Sequence, residues 1–131
     1  MRVKIEDDKS RARSYIITPV GSIDSSTYLE FKEKTDPVLA KKPVSIVVNL
    51  EGVDYISSAG LGVLFGMKKA LKANGGDLYF CHIKPQIRRL FEIVKALPAE
   101  TLFASYEEAD RYLYKMMNDE IEKNRKENPN A

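Results

Sequence analysis

The run Ser45-Ile46-Val47-Val48-Asn49-Leu50 constrains the fold more than any other stretch of this chain. It is rich in β-formers and apolar enough to be buried on both faces, as an inner strand covered by helices is. A helical pattern follows, with Val53 to Leu71 reading V-D-Y-I-S-S-A-G-L-G-V-L-F-G-M-K-K-A-L. Asn74-Gly75-Gly76 supplies a left-handed stop for that helix, and Asp77 to His82 makes another strand. Strand, helix, strand means parallel pairing.

The flanking segments add to this unit. Val3 to Glu6 and Tyr15 to Val20 read as an antiparallel hairpin joined by the charged connection Asp7-Asp8-Lys9-Ser10-Arg11, with Pro19 marking a strand end or edge. Gly21 to Thr27 packs cap-type side chains ahead of a first helix, with Thr27 and Glu30 in capping-box spacing; Pro37 is expected to disturb or end it. Lys84-Pro85 opens a further helix whose apolar face is Ile87, Leu90, Phe91 and Val94. Leu102 and Phe103 read as a last short strand, and Ser105 with Glu108 as the capping box of a final helix striped by Ala109, Tyr112, Leu113, Met116 and Met117. The fold class expected is α/β: one domain over residues 1–117, a mixed, mostly parallel sheet of four to five strands covered by about four helices. Residues 118–131 are read as the end of the last helix and a polar, frayed tail.

Composition narrows the function. A net charge of +2 is too balanced for electrostatic capture of nucleic acid or of an anionic membrane surface. No apolar run is long enough to cross a bilayer and the N-terminus carries no signal-peptide pattern, so a cytoplasmic protein is expected. Cys81 is the single cysteine, so no thiolate cluster can hold a metal, and His82 is the single histidine, on which alone any Ser–His–Asp arrangement around Ser58 would depend; Ser58 also lacks the G-x-S-x-G elbow. Gly60, Gly62 and Gly66 match neither the phosphate-loop nor the dinucleotide pattern. A non-enzyme without cofactors is expected.

The serine pair Ser57-Ser58 falls where the helix begins. Backbone N–H groups there lack intrahelical partners and the helix dipole favours an anion, so a phosphate is welcome, although capping alone accounts for a serine and is worth ~1 kcal/mol. On a helical wheel Val63, Leu64, Met67, Ala70 and Leu71 share the arc assigned to the core. Leu61 and Phe65 fall outside it, with Lys68, Lys69 and Lys72 and on the side of Ser58, while Gly62 and Gly66 leave the backbone bare. Either this is a docking surface, or another helix of the same chain covers Leu61 and Phe65.

The segment Asp54 to Leu64, D-Y-I-S-S-A-G-L-G-V-L, resembles the signature of anti-sigma factor antagonists, the bacterial members of the STAS domain family. Gly21-Ser22-Ile23-Asp24 is similar to that family's G-x-[LI]-D turn, and the likeness extends through Leu102-Phe103 to Glu107-Glu108-Ala109. Two positions depart from the common pattern: Ser57 stands where many members have aspartate, and Ala59 replaces a serine or threonine. The resemblance implies phosphorylation at Ser58, with Ser57 as the fallback, and a phosphosite environment of Asp24, Ser57, Ala59 and Gly60. Asp24 is the expected loop carboxylate that orients the hydroxyl, or the N-cap of the first helix. The implied partners are an anti-sigma factor that is itself a serine kinase, met through Leu61, Gly62, Phe65 and Lys69, and a phosphatase that reverses the modification. The resemblance makes the chain a substrate rather than a catalyst: unphosphorylated, it binds the anti-sigma factor and releases a sigma factor. The alternative is a non-switching STAS scaffold subunit of a stress-sensing or lipid-transport assembly, with Ser58 only capping the helix.

Overall fold

The computed structural model describes residues 1–94 and Arg111. In chain order the elements are β1 (Arg2–Asp7), β2 (Ser14–Val20), α1 (Tyr28–Ala40), β3 (Ser45–Asn49), α2 (Ser58–Ala73), β4 (Asp77–Cys81) and α3 (Pro85–Val94). The strands form one sheet in the order β1-β2-β3-β4, with the first pair antiparallel and the other two parallel. The described residues thus hold four strands and three helices of the expected mixed α/β sheet. The strand expected at Leu102-Phe103, the helix expected from Ser105 apart from the helical Arg111, and the tail 118–131 lie outside the described residues.

β3 is buried at every position, as its unbroken apolar run requires. Its register sets Ile46 between Tyr15 and Leu78, and Val48 between Ile17 and Phe80, giving one face of the sheet a continuous apolar surface. That surface joins a single core with Phe31 and Val38 of α1, Leu64, Met67 and Leu71 of α2, and Ile87 and Phe91 of α3. The rings of Phe80 and Phe91 lie 5.2 Å apart, tilted by 50°, and fix α3 against β4. α1 and α2 also pack against each other.

Two local expectations are corrected. Pro37 does not end α1, which runs on to Ala40. It sits in the last turn, where it forfeits one backbone bond, and the carbonyls of Val38 and Leu39 still accept from the N–H groups of Lys41 and Lys42 at 3.1 and 3.0 Å. Thr27 and Glu30 do not form a capping box either: the Thr27 hydroxyl donates to the Ser22 carbonyl at 2.6 Å, and Glu30 pairs with Lys34 at 3.0 Å. The end of α2 does close as its glycines require. Gly75 takes φ +80, and the N–H groups of Gly76 and Gly75 donate to the carbonyls of Leu71 and Lys72, the pattern of a Schellman stop.

α2 is tied to β4 by charge as well. Lys68 Nζ donates to Asp77 Oδ1 at 2.7 Å, Lys72 stands 3.5 Å from the other oxygen, and the Leu78 N–H donates to the same carboxylate at 2.8 Å. Burial acts to raise the Asp77 pKa, but the Lys68 hydrogen bond, the Leu78 N–H and the two lysine charges together hold it below the ordinary value. The folded state therefore binds this proton more weakly than the unfolded state does. The stabilisation is present above the unfolded pKa and is lost as pH falls through the folded one. Asp77→Asn should lower stability by about 1 kcal/mol at neutral pH, given that the group is partly solvated. Urea unfolding of both proteins down a pH series checks this, with the gap closing on the acid side.

Candidate functional site

The loops before α1, α2 and α3 meet at the C-terminal ends of β2, β3 and β4, the edge where open α/β sheets place their sites. Two of these loops are joined through their backbones. Ile23 donates its N–H to the Tyr55 carbonyl at 3.0 Å and accepts from the Ser57 N–H at 2.9 Å, forming a parallel bridge between Ile23 and Ile56, both buried. Gly60 lies against this bridge. A Cβ there would stand 2.4 Å from the Ile23 carbonyl oxygen and 2.8 Å from Ile23 Cγ2, so glycine is required by close approach.

The serine pair divides its work. Ser57 is the N-cap of α2, with extended backbone (φ −82, ψ 174) and an Oγ that accepts from the Gly60 N–H at 3.2 Å. Ser58 is the first residue of the helix, and it is exposed. Its hydroxyl makes no hydrogen bond among the described residues. The Leu61 N–H donates to the Ser57 carbonyl at 2.8 Å, so the N–H groups of Ser58 and Ala59 precede the intrahelical ladder and have no acceptor within it.

Asp24 turns back on its own loop. Its Oδ1 accepts from the Ser26 N–H at 2.9 Å, the Ser26 hydroxyl at 2.7 Å, and the Thr27 N–H and hydroxyl at 3.2 Å each. The Ser26 hydroxyl, then the Ser26 N–H and the two Thr27 donors, hold this carboxyl below its ordinary pKa. The carboxylate makes no bond to Ser58, so the expectation that it orients that hydroxyl is corrected: the four local donors on Oδ1 hold it to its own turn. The coupling between the two loops runs instead through the backbone of Ile23. On the same edge Lys84 donates to Asp54, and Tyr55 is exposed.

The expected outward pair of Leu61 and Phe65 is also corrected. Leu61 is 6% exposed and belongs to the core, and Phe65 is half-buried against it. The buried arc of α2 is Gly60, Leu61, Leu64, Met67 and Leu71, turned about 60° toward Leu61 relative to the wheel assignment. Val63 and Ala70, assigned to the core, are half-buried instead. They line a groove between α1 and α2 of about 500 Å³, whose walls include Tyr28, Leu39, Ala59, Gly62 and Gly66. No Cβ added at Gly62 or Gly66 would meet anything within 4 Å. This groove was missed in the sequence, although the signal was there: Ala59, Gly62, Val63, Gly66 and Ala70 recur at helical spacing as a thin-walled face. Gly62 and Lys69 are exposed, as is Ser58, and all three fall on the open side of the helix. Among the described residues no group of three or more His, Cys, Asp or Glu side chains could hold a metal, and no helix is long and apolar enough to cross a membrane.

The profile of the STAS domain matches residues 5–109. This chain belongs to the STAS domain family. Its relatives place it with the anti-sigma factor antagonists: the anti-sigma-B factor antagonist of Staphylococcus aureus is 37% identical over 93 residues, which span 71% of this chain and 85% of that one. Among solved structures, the anti-sigma factor antagonist SpoIIAA in its unphosphorylated form superposes with a TM-score of 0.66 at 20% identity, covering 86% of this chain and 98% of that one. A sulfate transporter family protein from Wolinella succinogenes superposes with a TM-score of 0.70 at 16% identity, covering 86% and 97%. These likenesses show the fold, which an anti-sigma factor antagonist and a sulfate transporter family protein share.

Within this STAS domain Gly60 and Gly62 should respond oppositely to a methyl group. Gly60→Ala forces its Cβ against the Ile23 backbone, and a loss of about 2–3 kcal/mol is expected. Gly62→Ala points into open space and gains up to ~1 kcal/mol of helix propensity. Chemical denaturation of the two variants decides the matter, and equal effects would mean that the α2 start is not held against Ile23.

Proposed function

We propose that this STAS protein is a cytoplasmic anti-sigma factor antagonist switched by phosphorylation at Ser58. With the hydroxyl free it binds an anti-sigma factor, itself a serine kinase, and a sigma factor is released; with the phosphate in place it lets go. A phosphatase returns it to the binding form. The chain is the substrate of these enzymes and not a catalyst. The observation that carries this reading is the division between the serines. Ser57 alone caps α2, so the exposed Ser58 hydroxyl has no structural duty and can be modified without cost to the helix. The same division disfavours Ser57 as the modified residue and disfavours a scaffold in which Ser58 is merely a cap.

The charge argument follows from position. A phosphoserine carries about −1.5 to −2 charges at neutral pH, and at the first helical residue it meets the unpartnered N–H groups of Ser58 and Ala59 and the positive end of the dipole. The fold tolerates it. A partner seated on the open side of α2, over Gly62 and Lys69 and along the groove beside Ala59, must desolvate that phosphate, which costs several kcal/mol without a matched cation.

Incubation with the cognate kinase, ATP and Mg²⁺ should add one phosphate per chain, and Ser58→Ala should abolish it; labelling that persists in the variant assigns the site elsewhere. Ser58→Asp should weaken binding to the unphosphorylated protein's partner by at least about tenfold while the circular dichroism spectrum is unchanged. Loss of helical signal in that variant would contradict the account of the α2 start.

A further inference from the structure

β1 ends the sheet, and among the described residues it pairs with β2 alone. The direction of its free backbone groups can be read from the ladder. The Asp8 N–H donates to the Ser14 carbonyl at 2.8 Å, so Asp8–Ser14 is a hydrogen-bonded pair, and by alternation so are Glu6–Ile16, Lys4–Thr18 and Arg2–Val20. Pro19, which has no N–H to give, falls opposite Val3 at a pair that needs none. The N–H and C=O groups of Val3, Ile5 and Asp7 therefore point outward along the open edge. Ile5 is 38% exposed, and Lys4 and Glu6, on the opposite face of the strand, are 68% and 45% exposed.

We propose that β1 pairs antiparallel with β1 of a second copy, in a two-fold register centred on Ile5, so that the two sheets become one. Ile5 then faces its own copy, and Val3 faces Asp7 of the partner subunit. These are the residues whose backbone groups point outward, so all three pairs are hydrogen-bonded. Between them Lys4 stands opposite Glu6 of the partner subunit, and Glu6 opposite Lys4 of the partner subunit. The next pair out sets Arg2 against Asp8 of the partner subunit. This is the two-fold register free of like-charged pairs. Centring on Val3 sets Lys4 against Arg2, centring on Lys4 or Glu6 sets each against itself between flanking pairs of opposite charge, and centring on Asp7 sets aspartate against aspartate. A charged edge usually guards a sheet against foreign strands. Here the same charges favour one register with the chain's own copy over its neighbours. β1 lies two strands away from β3, which leads into the Ser58 turn, so pairing leaves both α2 surfaces open and the dimer offers two.

Sedimentation equilibrium of the full chain should show a concentration-dependent dimer that weakens as salt is raised. Lys4→Glu and Glu6→Lys should each weaken self-association by at least about tenfold, because both cross-strand ion pairs become like-charged. An equimolar mixture of these two variants restores complementarity and should form a heterodimer of wild-type strength. Ile5→Cys should form an intersubunit disulfide on oxidation, since hydrogen-bonded antiparallel partners have Cα atoms about 5.5 Å apart, and Val3→Cys should not. A wild-type chain that stays monomeric at millimolar concentration, a dimer indifferent to both charge reversals, or no heterodimer in the mixture would each overturn the proposal.

Discussion

The bridge between Ile23 and Ile56 is the contact on which the site depends. Two backbone hydrogen bonds and two buried side chains hold the loop after β2 to the turn before α2, and Gly60 lets the helix start close against them. This fixes where the first turn of α2 begins, and with it the direction of Ser58. Neither loop could hold that geometry alone, because each is short of regular partners until the other supplies them. The Asp24 carboxylate completes the arrangement from its own side by locking the turn that carries Ile23.

From this anchor the two serines take different roles, although they are chemically identical and adjacent. Ser57 has extended backbone and reaches back to the Gly60 N–H, whereas Ser58 is already helical and turned to solvent. A modification on the second leaves the cap on the first untouched. Such a site can change its charge without changing its fold, which is what a reversible partner switch requires. The anti-sigma factor antagonists among its relatives and the transport-associated domains among its structural neighbours share the scaffold, so the function must be argued from this turn rather than from the sheet.

The sheet's open edge is independent of that turn. β1 carries Arg2, Lys4 and Glu6 on one face and Val3, Ile5 and Asp7 on the other, an alternation that one two-fold register matches without like-charged pairs. Pairing at this edge, as proposed, leaves the Ser58 turn of each copy uncovered.

Much of this was legible in the sequence. The unbroken apolar run of β3, the Asn74-Gly75-Gly76 stop and the hairpin of β1 and β2 are local signals, and each produced the element expected because backbone sterics and burial act over a few residues. The serine turn was likewise visible as a helix start. Which serine caps, where Asp24 points and how α2 is rotated were not. The wheel gives the order of residues around a helix but not its phase against the sheet, so it places Leu61 outside the core arc and leaves open what covers it, whereas in the structure the core takes it. That phase is set by the close approach of Gly60 to Ile23 and by α1 alongside, contacts between segments far apart in the chain. The sequence by itself determined the elements, their parallel order and the presence of hydroxyls at a helix start. Only the tertiary structure decided that Ser58 is the free one, because its freedom depends on what its neighbours already bind.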